Sequence, residues 1–305
     1  MFFLGSFLQY KIFTISFAGT IQVLYLFNME KNMEQILTER QLREKEYYSQ
    51  YAKLFDLNQD IDFSPILGPL LNKEKRPWNS YWRTYQLPIE LILKNNNETA
   101  ATLLDFGCGP GDNSLRFWRA GFKVHGFDIS DANINNCQNL FSKNQAQGEF
   151  LVSAAETLPF ANESFDVIVG IDILHHVDIE RSMKEIRRTL KPNGIAIFRE
   201  PVEVSLLDKI RNTALVKALV PNHASLENHI TEDERKLNQK DFDIIKKEFP
   251  KTEIERSLVL SRFDKFVRKH DDKTASLLER VDYGISKVLP FWGNMGGAAV
   301  IIIKK

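Results

Sequence analysis

Cysteine is scarce: Cys108 and Cys137 are the only two in 305 residues. Two thiols make no disulfide framework, and the chain fits a reducing compartment. Net charge is missing as well, because 40 Lys and Arg stand against 40 Asp and Glu. No overall field draws nucleic acid or an anionic membrane to such a chain. Its one short basic run, Lys73-Glu74-Lys75-Arg76, runs into Pro77 and reads as a solvated loop. No Cys, His or carboxylate set has metal-ligand spacing, so no metal is expected. Internal repeats and low-complexity tracts are also absent. What remains is 43% apolar and 26% charged residues, enough core for one large α/β domain or two smaller ones.

The amino terminus departs from this composition. Residues 1–27 carry one formal charge, Lys11, and Ile12 to Phe27 is apolar or weakly polar throughout. A spanning helix needs about 20 such residues, and the run is shorter. Three readings fit: a start placed upstream of Met29 or Met33, a membrane anchor, or a signal or re-entrant segment. Membrane attachment, if any, is expected only through residues 1–27, and the remainder is expected in the cytoplasm. Residues 1–32 are set apart as a leader, and 33–99 read as a helical lid. Helical patterns cover roughly Glu34 to Phe55 and Trp78 to Lys94, with Pro88 suggesting a kink and Asp60 to Pro77 looser between them. Tyr47, Tyr48, Trp78 and Trp82 are candidates to close over a site or to pack as core.

From residue 100 the pattern alternates strand and helix. Thr102-Leu103-Leu104-Asp105-Phe106 is a buried strand, and Gly107-Cys108-Gly109-Pro110-Gly111 a turn into a helix near Asn113 to Ala120. Lys123 to Phe127 is a second strand ending in Asp128, and a helix near Ala132 to Asn144 follows. Further strands fall at Phe150–Val152, at Phe165–Ile171 and, after the turn Lys191 to Gly194, at Ile195–Phe198. Asp178 is placed to cap the helix between the last two. Leu258 to Leu260 and the apolar run Ala298 to Ile303 read as the final strands. The fold expected is a doubly wound, Rossmann-like α/β sheet, mostly parallel, with an antiparallel last strand. Insertions near 202–250 and 263–291 are candidate caps, with His229 and Arg235 possible substrate contacts by position alone.

The glycine spacing carries chemistry. A dinucleotide turn wants G-x-G-x-x-G, and its third glycine would fall on Asp112. The motif here is Asp-x-Gly-x-Gly-x-Gly, from Asp105 to Gly111, which points away from nicotinamide and flavin cofactors. Cys108, between two of the glycines and with no base adjacent in sequence, reads as a spacer. Asp128 ends the second strand 21 positions after Gly107, where a carboxylate can accept two ribose hydroxyls. Three further segments follow in order: Ala154 to Phe160, then Asp172-Ile173-Leu174-His175-His176-Val177, then Leu190 to Gly194.

These motifs together resemble the class I S-adenosylmethionine-dependent methyltransferases of small molecules. The resemblance covers Leu103 to Glu200. It implies S-adenosylmethionine as cofactor, held by Asp105, Gly107, Cys108, Gly109, Gly111, Asp128, Ile129, Ala155 and Glu156, the last two at the adenine. Ala154 stands where the family usually has an aspartate, which removes one side-chain contact to the adenine amino group. His175 or His176 could deprotonate an acceptor, or could simply cap the next helix. The Asn/Asp-Pro-Pro-aromatic signature of base methylation is absent after the fourth strand. The expected substrate is therefore a small, partly apolar molecule methylated at oxygen or carbon. The alternatives are a non-catalytic S-adenosylmethionine-binding module and, behind it, a dinucleotide-dependent oxidoreductase.

Overall fold

The computed structural model describes residues 37–71, 73–95, 100–204, 235–264 and 276–305. The chain divides into Met1–Thr38 and Glu39–Lys305; the leader lies outside the described residues, and the architecture that follows is that of the second unit. It begins with three helices, α1 (Glu39–Tyr51), α2 (Ser64–Leu70) and α3 (Ser80–Asn95). The core then runs β1 (Thr102–Phe106), α4 (Asp112–Arg119), β2 (Lys123–Asp128), α5 (Asp131–Lys143), β3 (Gly148–Val152), β4 (Phe165–Ile171), α6 (Ile179–Thr189) and β5 (Leu190–Pro201). Its carboxyl-terminal part holds α7 (Gln239–Glu248), β6 (Glu253–Ser257), α8 (Leu277–Val288), α9 (Pro290–Gly293) and β7 (Ala298–Lys304).

One seven-stranded sheet results, in the order β3-β2-β1-β4-β5-β7-β6. Strands β1 to β5 pair in parallel, and β7 runs antiparallel to both β5 and β6. Two-sided burial explains the composition of the middle strands. In β1, Leu103 faces one layer with Phe117, Leu140 and Tyr85, while Leu104 and Phe106 face the other with Phe127, Ile186 and Phe198. Such a strand reads as a continuous apolar run. Each fully buried Phe, such as Phe106, Phe127 or Phe198, contributes about 2–3 kcal/mol of transfer free energy. Helix α7 packs on α6 and puts Phe242 and Ile245 into the second layer; among residues 202–250, this described part covers the sheet.

Four elements differ from the sequence reading. The last but one strand is β6, Glu253–Ser257, and not Leu258–Leu260. Its sequence Glu-Ile-Glu-Arg-Ser is polar because β6 is an edge strand and half-exposed. Leu258 instead adopts φ +65 as the chain leaves the sheet. The segment Asp60 to Pro77 contains α2, which Pro65 starts at its first turn, where a missing N–H is harmless. Pro88 sits within the continuous helix α3, and β5 extends through the expected turn, with Asn193 at φ +63 and the register against β4 shifting there.

Candidate active site

The carboxyl ends of β1, β2 and β4 meet α1 around a cavity of about 630 Å³. At its floor, Gly109 adopts φ +52, and a Cβ built on it would meet nothing within 4 Å. A ligand can therefore approach this backbone closely. Gly111 is different: φ is +94, and a Cβ there would lie 2.4 Å from Cys137 Sγ, so the helix α4 can start against α5 only without a side chain. Gly107, Cys108 and Gly109 line the cavity. Cys108 N–H donates to the Phe127 carbonyl at 2.8 Å, tying the turn to β2.

Asp128 organises the next wall. It accepts from the Gly109 amide at 3.0 Å, the Ser130 amide at 2.9 Å and Asn133 Nδ2 at 3.2 Å. Burial pushes its carboxyl above the ordinary range, and these N–H donors oppose the shift. Three bonds leave a carboxylate with acceptor capacity for a ligand, and Asp128 and Ile129 both line the cavity. Asp105 does not. Its carboxyl is buried behind the turn, where Ser114 Oγ donates at 2.5 Å. Desolvation raises it to about 7, against the pull of Ser114.

Ala155 and Glu156 complete this side of the cavity, with Ser153 below them. Both oxygens of Glu156 are engaged: Oε1 accepts from the Asp178 amide at 2.8 Å and Oε2 from Gln41 Nε2 at 2.7 Å. Its carboxylate thus joins α1 to the start of α6. Asp172, also in the wall, has φ +55, an uncommon conformation for a side-chain-bearing residue. Arg199 holds it through one nitrogen to both carboxylate oxygens, at 2.5 and 2.6 Å.

The two histidines part company. His175 Nδ1 lies 2.7 Å from Oε2 of the fully buried Glu200, whose Oε1 accepts from the Ile173 and Leu174 amides. It is outside the cavity lining and braces the strand-to-helix loop. His176 lines the cavity, with Nε2 2.9 Å from the Tyr48 hydroxyl and Nδ1 3.2 Å from Glu44 Oε2. Glu44 is buried although α1 is polar, and Tyr48 packs edge-on to the His176 ring.

Of the other residues singled out by sequence, Tyr48 reaches the cavity. Trp78 packs against Tyr283, and Trp82 is buried beneath the Arg76 guanidinium. Arg235 is paired with Asp241, which caps α7. His229 lies outside the described residues. Gln41, Glu44 and Arg40, which donates to the His175 carbonyl at 3.2 Å, went unnoticed in sequence. Their partners lie far along the chain, and only the shortage of apolar residues in α1 hints at a helix held by polar bonds.

Residues 104–198 match the protein family described as "Methyltransferase domain". An uncharacterized protein of Methanocaldococcus jannaschii is 30% identical over 155 residues, half of each chain. The ubiquinone biosynthesis O-methyltransferase of Pelagibacter ubique is 39% identical over 94 residues, 30% of this chain and 39% of that one. The demethylmenaquinone methyltransferase of Chlorobaculum parvum is 31% identical over 126 residues, 41% and 50% of the two chains. The chain spans about half the length, or less, of these curated relatives. Among solved structures, the geranyl diphosphate C-methyltransferase of Streptomyces coelicolor A3(2) shares the fold at a TM-score of 0.50 and 13% identity, over 88% of this chain and 97% of that one. Over residues 104–198, this chain carries a methyltransferase domain.

Proposed function

We propose that the protein transfers a methyl group from S-adenosylmethionine to a small, partly apolar acceptor at oxygen or carbon. The observation that carries this reading is the meeting of the glycine turn, Asp128, Ala155-Glu156 and His176 in one cavity. The lining fits the cofactor. Gly109 leaves room for a ligand against its backbone, and Asp128 keeps acceptor capacity for ribose hydroxyls while its other bonds fix it in place. Ala155 and Glu156 would border the adenine, with the Glu156 carboxylate serving as a brace. When bound, S-adenosylmethionine supplies an electrophilic methyl on a sulfonium, the reactive partner for a nucleophile.

The protein's own work is then placement, exclusion of water and the handling of one proton. Leu54, Phe55, Ile171 and Val177 give the cavity its apolar walls. With Nε2 2.9 Å from the Tyr48 hydroxyl and the Glu44 carboxylate 3.2 Å from Nδ1, a neutral His176 can offer its Nε2 lone pair to Tyr48. A proton leaving the acceptor passes to Tyr48 Oη as the Tyr48 proton passes to His176 Nε2. Glu44 then stabilises the imidazolium. His175 has no share in this step, because Glu200 holds it away from the cavity. The names of the quinone-pathway relatives fit an acceptor with an acidic hydroxyl or an activated carbon.

Labelled-methyl transfer into a metabolite extract tests the reaction, and calorimetry with S-adenosylmethionine tests the site. Asp128→Ala is expected to weaken cofactor binding by at least about tenfold, the loss of one charge-assisted contact pair. Unchanged affinity in that variant refutes the ribose assignment. Cofactor binding without labelled product from any extract supports the non-catalytic module, and preferential binding of NADH overturns the whole reading.

A further inference from the structure

Exposed large apolar side chains gather on one stretch of the surface. Leu277, Val281 and Val288 share one face of α8 by helical spacing, and Leu289, Phe291 and Met295 are exposed in the segment that follows, through α9 and the turn beyond. Leu277, Val288 and Phe291 are 74%, 78% and 62% exposed. Arg280 and Lys287 flank the stripe on the solvent side, over the rings of Trp78 and Tyr283, and neither makes an ion pair among the described residues. The two acids of α8 point elsewhere. Asp282 is buried and accepts from the amides of Val259, Leu260 and Ser261 and from Trp292 Nε1. Glu279 accepts from Asn79 Nδ2 at 2.9 Å. In a chain of zero net charge, the described part of α8 presents two cations beside its exposed apolar side chains, and the nearby Glu255 is paired with Arg83.

We infer that α8 and α9 form a docking face for an anionic lipid surface, with the stripe entering the headgroup boundary and Arg280 and Lys287 at the level of the lipid phosphates. An amphipathic helix of this charge and apolar content lies in the membrane plane. The charge decides the occupant: a second copy docked through the same symmetric patch would bring like cations together, whereas anionic lipid neutralises them. The face is also preformed, since the Asp282 bonds fix α8 and α9 to the chain leaving β6, so no folding accompanies docking. The face stands apart from the methyl-transfer site and does not depend on that reading.

Co-sedimentation of the full chain with vesicles tests the inference. Vesicles of phosphatidylcholine mixed with phosphatidylglycerol should bind it about thirtyfold more tightly than phosphatidylcholine alone, the increment expected of two surface cations. Added salt should erase the difference. A Val288→Asp, Phe291→Asp double variant should lose about tenfold or more of the binding, with its thermal midpoint unchanged because both side chains are exposed. Lys287→Glu should remove the preference for anionic vesicles while keeping the fold. Equal binding to both vesicle types overturns the inference. So does binding that these variants leave intact, which would place attachment elsewhere, as in the apolar residues 1–27. A concentration-dependent dimer that the variants split, with no vesicle binding, would assign the face to a second copy.

Discussion

Asp105 and Asp128 lie near the carboxyl ends of neighbouring parallel strands, and their surroundings give them different tasks. Asp128 has three donors and a place in the cavity wall; Asp105 has Ser114 and no opening. Because burial lifts the Asp105 carboxyl to about 7, the folded protein holds this proton more tightly than the unfolded chain, whose aspartate titrates near about 4. Stability therefore falls as pH rises from about 4 to about 7. An Asp105→Asn variant should flatten that slope: its thermal midpoint should gain on the wild type between about pH 4 and about pH 7, a window set by the two values. Parallel pH profiles for the two proteins would show that Asp105 titrates normally. Gly111→Ala is the sharper steric test. Its positive φ and the Cys137 sulfur in the path of a Cβ should cost about 2 kcal/mol or more, read as a lower urea midpoint. The wall containing Gly107, Gly109 and Asp128 was legible in sequence because one strand-turn-helix unit and the next strand build it.

Helix α1 was legible only as a helix. Its thirteen residues bury Glu44 alone, so apolar burial gives it little hold on the core. It is held by bonds to the motif segments: Gln41 to Glu156, Arg40 to the His175 carbonyl, Tyr48 to His176 and Ser49 to Ser130. Those partners are 81 to 135 positions away, beyond the reach of periodicity or capping rules. The same distance explains why Glu44 went unseen while the adjacent Tyr47-Tyr48 pair attracted notice. β6 escaped for a different reason, since an exposed edge strand carries the charges that hide it from a hydrophobic pattern. If α1 supplies the proton path as well as the cover, Tyr48→Phe should lower kcat about 100-fold, within the range of general-base effects, and leave cofactor affinity near the wild-type value. A change in cofactor affinity with kcat intact would make Tyr48 a latch and no more. A second latch lies at the other end of the sheet. Asp282→Ala would strand the amides of Val259, Leu260 and Ser261 and the Trp292 indole, and should destabilise the fold by about 3 kcal/mol or more in denaturant titration.

At the scale of the whole molecule, the cavity draws residues from position 41 in α1 to 177 before α6. The strands beneath it belong to the same seven-stranded sheet whose far edge is β6. Opening the sheet or releasing α1 dismantles the site, so a ligand there binds the folded chain and has no comparable site on the unfolded one. On the proposed function, linkage requires that S-adenosylhomocysteine, the product of that reaction, stabilise the entire unit, by about 2.7 kcal/mol at one hundred times its dissociation constant. For a chain of this size that is a rise of roughly 5 °C or more in thermal midpoint. Asp128→Ala should lower the ligand-free midpoint, because the Gly109 and Ser130 amides and Asn133 lose their acceptor. It should also abolish most of the ligand-induced rise at the same concentration, which separates loss of the site from loss of stability. A rise that is undiminished in Asp128→Ala would move the cofactor away from the end of β2. A wild type that fails to respond, while its labelled-methyl transfer is measurable, would mean that binding and unfolding are uncoupled and that α1 and the glycine turn can open with the sheet intact.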